Sequence, residues 1–339
     1  MILRKMGKFL AVLVIAGLIF VPVEGVNAVE KPQSLLITTA TTGGTYYPMG
    51  VSMAVLWSKK LEKQKIRVAA QSSAGSGENI AMLKNKEADL AILQGIFGVM
   101  AWNGTGIYKD KPLKELRTMA MVWPNVEHFV IKTDKVKTGT IMDIKGLRFS
   151  IGRAGSGTER SGLTIMEGLG LKRDDVQAEY LGYFESATAM KDGRISGANL
   201  PAGPPVAAVT DLFATPRMKV TVLEVTDEQL EAIDKRFPTW FRYIVPPNTY
   251  PGQTKPIKTI AQPNFLGARM DLDPDTIYLL TKTLLENTEE MKKVHAMGAF
   301  IKLENAISGL PAPLHPGALR YYKEKNVKIP PSLIPPEAK

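Results

Sequence analysis

Two glycine- and hydroxyl-rich loops carry the residues best suited to hold a ligand. The first is Thr41-Thr42-Gly43-Gly44-Thr45-Tyr46-Tyr47-Pro48, and the second is Gly152-Arg153-Ala154-Gly155-Ser156-Gly157-Thr158. Each lies between a strand-like run and a helix-like run. A helix N-terminus leaves backbone N–H groups without intrahelical partners and carries the positive end of the helix dipole. Glycine lets the backbone approach a ligand, and nearby hydroxyls add donors. Together they suit a carboxylate or a phosphate. Taken singly, each loop also matches an ordinary cap and tight turn. Two at matching places are more informative, because they can face each other across a cleft.

Other residues join these candidates. Ser76 and Asn79, in Ser72-Ser73-Ala74-Gly75-Ser76-Gly77-Glu78-Asn79, either add hydrogen bonds to a ligand or cap a helix and face solvent. Gln94 ends a strand, where open α/β sheets bind ligands. Its neutral amide suits recognition without chemistry, and a surface strand end is the alternative. Arg153 either pairs bidentately with a carboxylate or points to solvent. Tyr46 and Tyr47 either wall a pocket or pack in the core. Glu185 starts a later helix, as a cap or as part of the site.

Catalytic signatures are missing. The chain has no cysteine, so a thiol nucleophile, a disulfide and a cysteine zinc site are excluded. There is no G-x-S-x-G, H-E-x-x-H, Walker or G-x-G-x-x-G motif. Of the three histidines, none is expected beside Ser156 to act as its base. His295 reads as a packing or surface residue and His315 as support for a turn or cap. His128 reads as hinge packing or a cleft contact. The expectation is a binding protein with no enzymatic activity, no cofactor and no metal.

The elements that must position these residues alternate. Strand-like runs at 35–39, 66–70 and 88–93 are separated by helical spacings through Met49, Met53, Leu56 and Trp57, then Ile80 and Leu83. A similar unit runs from the strand at 147–151 through a helix with Leu163, Met166 and Leu169. A further strand, a helix from about Phe184 to Met190 and a strand at 195–200 follow. Ile277, Leu280 and Leu284 form a late helical stripe, with Pro274 at its start. Alternation of this kind predicts parallel sheets flanked by helices. Candidate linkers are Val122–Lys132 and the Pro246–Pro251 stretch. Two crossings give lobe 1 at 29–124 plus 247–339 and lobe 2 at 125–246, with a cleft and a double-stranded hinge.

At 339 residues the chain has the length of about two domains. Its 45% hydrophobic and 22% charged content excludes a disordered chain or a polytopic membrane protein. Arg4, Lys5 and Lys8 precede an apolar run from Phe9 to Val23, and Val26-Asn27-Ala28 follows. This predicts a signal peptide over 1–28, cut after Ala28. The run is shorter than the ~20 residues of a membrane span. Removing the leader lowers the net charge from +10 to near +8. An exported protein meets little nucleic acid, so the charge reads as a basic surface, either diffuse or favouring anions.

The sequence resembles the TAXI family, the extracytoplasmic receptors associated with TRAP transporters. The matching pieces are Thr42-Gly43-Gly44-Thr45-Tyr46-Tyr47-Pro48, Gly75-Ser76-Gly77-Glu78-Asn79 and Glu87-Ala88-Asp89-Leu90-Ala91-Ile92. Leu147-Arg148-Phe149-Ser150-Ile151-Gly152, Gly155-Ser156-Gly157-Thr158 and Leu314-His315-Pro316-Gly317-Ala318 follow in the family's order. The resemblance implies a two-lobed, type II periplasmic-binding-protein fold, α/β with mostly parallel sheets. It also implies a periplasmic receptor that captures a small organic anion, such as glutamate or a 2-oxoacid. Delivery would be to small and large TRAP membrane subunits, separate or fused. Two departures stand out. Arg153 replaces a common proline, and Asp192-Gly193-Arg194-Ile195-Ser196-Gly197-Ala198-Asn199 lacks the family's second acid and its aromatics. That stretch leads to Pro201, near the expected cleft. A sensing adaptor for a membrane kinase and an exported enzyme on the same fold are the alternative classes.

Overall fold

Alternating apolar residues in β1 (Gln33–Thr38) bury Leu35 and Ile37, and those of β2 (Ile66–Gln71) bury Ile66 and Val68. The computed structural model of the chain describes residues 32–338, so the expected signal peptide at 1–28 lies outside them. Between these strands, α1 (Tyr46–Lys60) turns Met49, Met53 and Trp57 inward at helical spacing. The chain continues through α2 (Ser76–Lys84), the fully buried β3 (Leu90–Gln94) and α3 (Gly95–Asn103). The long β4 (Leu116–Val126) leads straight into β5 (Phe129–Lys132).

The second unit repeats the design. It contains β6 (Arg148–Ser150), α4 (Gly157–Gly168), β7 (Gln177–Glu179), α5 (Tyr183–Lys191) and β8 (Gly197–Asn199). Next come α6 (Ala207–Ala214), β9 (Val220–Val222) and α7 (Asp227–Arg236). Then β10 (Phe241–Val245) and β11 (Ile257–Arg269) run back along the first sheet. Helices α8 (Pro274–Leu285), α9 (Thr288–Val294) and α10 (Pro316–Glu324) follow.

The sheets have related orders. The first is β10-β11-β3-β1-β2, with β4 paired to β11, and the second is β7-β6-β8-β5-β9. In each, three parallel strands are joined by a strand arriving from outside the unit, β11 or β5, which runs antiparallel. Both sheets are therefore mixed, where mostly parallel sheets were expected. A chain that leaves and re-enters must lay one strand against the direction of the others.

The Val122–Lys132 stretch is β4 and β5 with a two-residue joint. Its polypeptide is extended strand, and β4 pairs along β11 from Leu116 with Arg269 to Val126 with Ala261. On its other edge β11 pairs first with β10 and then with β3. The Pro246–Pro251 stretch lies between β10 and β11. One apolar cluster packs Phe265 and Leu93 of the first sheet together with Phe129 and Phe149 of the second. Phe129 and Phe149 stack with ring centroids 6.1 Å apart.

Candidate ligand cleft

The carboxyl ends of β1, β2, β3, β6 and β7 point into the seam between the two units. Helices α1, α2, α3, α4 and α5 begin there. Their dipoles bring several positive ends together. The innermost space is a cavity of about 30 Å³. Gly44 and Thr45 line it from the loop before α1 and Tyr46 from its first turn, with Ser76 from α2 and Gln94 from the end of β3. Gly157 and Thr158 enter from α4, with Tyr183, Pro201 and Asn125 closing it. It has room for about one or two water molecules.

Next to it lies an outer chamber of about 340 Å³, lined in part by Thr42, Glu78, Arg153, Phe184 and Glu185. Thr41, Ala74 and Tyr183 line both spaces. Among the described residues no charged one lines the inner cavity, and the charged groups stand in the outer chamber. Arg153 is exposed and pairs with no carboxylate among the described residues.

Several polar groups in the inner wall have fixed orientations. Tyr46 donates its hydroxyl to Asn264 Oδ1, and Asn264 Nδ2 reaches Asn125 Oδ1 at 3.5 Å. This leaves Asn125 Nδ2 buried without a partner, as is Gln94 Oε1. The cleft thus presents one free donor and one free acceptor. Burial holds the Tyr46 phenol well above its ordinary pKa, so the phenol remains a donor. Tyr183 donates to Pro201 O and lies 3.0 Å from Thr158 Oγ1. Burial raises its pKa as well.

The helix starts are capped by their own acids. Glu78 accepts from Ala74 N at 2.6 Å, Glu159 from Gly155 N at 2.6 Å and Glu185 from Gly182 N at 2.7 Å. Glu185 therefore acts as a cap and also lines the outer chamber. Ser156 accepts from Glu159 N at 3.0 Å and caps α4. Ser76 Oγ accepts from Gln94 N at 3.0 Å, fixing the strand end against α2.

Some sequence candidates lie elsewhere. Asn79 is fully buried and does not line the cavity. Its amide donates to Thr39 O at 2.7 Å and Ile92 O at 2.9 Å, and its oxygen accepts from Ser73 Oγ. It therefore positions the loop. Tyr47 is exposed and points away from both spaces. Gly43 packs against Phe184, and its carbonyl accepts from Ala208 N at 3.1 Å. Gly155 lines neither space; its carbonyl faces Gly77.

Asn125, Tyr183 and Glu78 line the cleft but escaped the sequence reading. For Asn125 the signal was a polar residue inside a continuous apolar strand. Glu127, two residues on, is fully buried. Asn199 Nδ2 donates to its Oε2 at 3.3 Å, while Oε1, Gln262 Nε2 and Trp240 Nε1 are buried without partners. Burial pushes the Glu127 carboxyl up to about 7. Beside it, His128 Nδ1 donates to Val126 O at 2.9 Å. Its Nε2 accepts from the Tyr250 hydroxyl at 2.8 Å, which fixes a neutral tautomer. Burial lowers its pKa to about 4.

No histidine accompanies Ser156. His295 Nε2 donates to Pro205 O at 3.1 Å, and His315 caps α10 by accepting from Gly317 N at 3.2 Å. Among the described residues, no group of three or more His, Asp or Glu side chains is placed to hold a metal ion. No described helix is long and apolar enough to cross a membrane.

Comparison with known proteins agrees with this architecture. A sequence model described as the NMT1-like family matches residues 37–325. A structure from Bordetella bronchiseptica RB50 is similar with a TM-score of 0.51 at 16% identity, covering 88% of this chain and 90% of that one. PhnD1 from Prochlorococcus marinus, in complex with methylphosphonate, gives 0.49 at 14% identity over 87% and 99%. The periplasmic aliphatic sulphonate binding protein SsuA from Escherichia coli gives 0.43 at 14% identity over 89% and 96%. At such identities the likeness concerns the fold, which is the two-lobed α/β periplasmic-binding-protein fold with mixed sheets.

Proposed function

The chain belongs to the NMT1-like family, and we propose that it is an extracytoplasmic solute-binding receptor. In this reading a small organic anion, such as glutamate or a related carboxylate or 2-oxoacid, is held between lobe 1 (29–124 plus 247–339) and lobe 2 (125–246). The observation that carries it is the buried, unpartnered Asn125 Nδ2 donor, at a point where several helices begin. A buried polar atom without a partner is costly, and a bound ligand is one way to satisfy it.

The division of the cleft suggests how the ligand lies. A carboxylate head enters the uncharged inner cavity and meets helix N-termini and Asn125 Nδ2. The body passes Tyr183 into the outer chamber. There Glu78 and Glu185 suit an ammonium group and Arg153 a second carboxylate. The hinge is the β4–β11 pair, and closure gives the form that a membrane partner reads. The resemblance to TAXI receptors makes TRAP membrane subunits the proposed partner. The same reading places the mature protein in the periplasm after removal of residues 1–28.

The test is mass spectrometry of small molecules released on denaturing mature protein (29–339), followed by a thermal-shift panel of carboxylates. One organic acid at near-equal stoichiometry, or selective stabilisation by one carboxylate class, is the expected result. An empty protein that no carboxylate stabilises would sink the reading.

A further inference from the structure

A groove of about 800 Å³ lies on the first unit, outside the two-chambered cleft, between α2, the 104–113 loop and the end of β11. Its volume is within the ~300–1,000 Å³ of small-molecule sites. The floor is apolar: Ile80, Leu83, Leu113 and Leu116. Ile107 and Met270 stand at its lip, 53% and 40% exposed. Apolar side chains of this size seldom stay uncovered around a concave surface without a role.

The rim is basic. Lys86 and Arg269 are held by Asp271, and Arg269 also by Asp89. Lys84 and Lys111 have no carboxylate partner among the described residues, against one similarly unpaired acid, Glu115. The Tyr108 side chain faces the same groove, and its hydroxyl makes no hydrogen bond among the described residues. An apolar trough with two free ammonium groups and a free phenol at its edge complements an amphiphilic anion.

We propose that this groove is a second ligand site, for a free medium- to long-chain carboxylic acid. Its tail lies along Ile107 and Met270 above that floor, and its carboxylate meets Lys84 and Lys111. The proposal stands apart from the cleft reading, since the only lining residue that also belongs to the seam is Gly77.

The experiment is displacement of a fluorescent fatty-acid probe by dodecanoate from the full mature chain. Saturable 1:1 binding is expected, weakened at least tenfold by the Lys84→Glu/Lys111→Glu pair and also by Ile107→Asp. These positions are exposed, and circular dichroism checks that the variants fold. Lys60→Glu/Lys63→Glu, an exposed pair at the end of α1 outside the groove and the cleft, leaves probe binding unchanged. Four outcomes would overturn the proposal: absence of saturable binding, equal displacement by dodecanol, binding lost as much in Lys60→Glu/Lys63→Glu as in the groove pair, or capture by anionic vesicles without binding of free dodecanoate.

Discussion

Gly77 faces the backbone carbonyl of Gly155 so closely that a β-carbon on Gly77 would lie 2.1 Å from that oxygen. One residue begins α2 and the other precedes α4, so the contact joins the two units across the seam. Gly157 makes a similar approach, with a β-carbon position 2.8 Å from Gln94 Cδ. The obstacle at Gly77 is backbone and cannot swing aside, whereas at Gly157 it is the end of the Gln94 side chain. In Gly77→Ala the units must separate at this point, while each keeps its own core. Overpacking costs about 1–3 kcal/mol, and here it falls on the closed arrangement alone. Small-angle scattering should show a larger radius of gyration with an unchanged circular dichroism spectrum. Ligand affinity should drop about tenfold, because the competent population shrinks.

Tyr46, Asn264 and Asn125 form a relay that aims one amide nitrogen into the inner cavity. Tyr46→Phe removes the donor to Asn264 and lets that amide turn. Stability should fall by about 1–2 kcal/mol, and ligand affinity about fivefold. Asn125→Ala removes the nitrogen itself and should weaken binding more while disturbing stability no further. Calorimetric titration of the two variants separates the effects. Equal affinities in both variants and the parent would exclude Asn125 as a ligand contact.

Glu127 gives a pH signature. Its folded carboxyl titrates near 7, from an ordinary value of 4.5, because burial disfavours the charge. The neutral form is favoured in the fold. Its contribution is therefore fully present below pH 4.5 and is lost as pH rises through 7. The loss is on the order of 3 kcal/mol. His128 and His315 work in the opposite sense, since burial lowers both to about 4. Their stability is lost as pH falls from 6.5 towards 4. The difference between Glu127→Gln and the parent isolates the carboxyl. The variant should gain in melting temperature relative to the parent between pH 5 and 7.5, and a constant difference would refute the assignment.

The legible parts of this protein are those set by local rules. Met49, Met53 and Trp57 mark α1 by spacing, and each fills the core against the first sheet. Glycine loops between strands and helices mark the cleft because their conformations are set by neighbours in sequence. The roles of Asn79 and Ser156 depended on distant or capping partners, so their residue types alone left binding and structural readings open. The crossing strands were hidden for another reason. Leu116–Val126 is buried along nearly its whole length and has no period to read. Its partner β11 is some 140 residues away, and only tertiary pairing shows that the expected linker is a strand. Glu127 and Asn125 were overlooked with it.

In the proposed receptor, Arg153 is the residue that would decide what kind of anion the outer chamber accepts. Among the described residues it is the only basic one lining that chamber, and it faces space shared with Glu78 and Glu185. Those two carboxylates are already engaged by backbone N–H groups of Ala74 and Gly182. A ligand with a second carboxylate therefore needs the guanidinium, while a monocarboxylate held in the inner cavity does not. Arg153→Ala should weaken a dicarboxylate about tenfold and leave a monocarboxylate unchanged. A charge-assisted hydrogen bond of about 1.5–3 kcal/mol supports that magnitude, reduced by the exposure of the side chain. The affinity gap between parent and variant should also narrow as salt rises. If both ligand classes weaken equally in titration calorimetry, Arg153 acts on closure of the cleft and not on the second carboxylate.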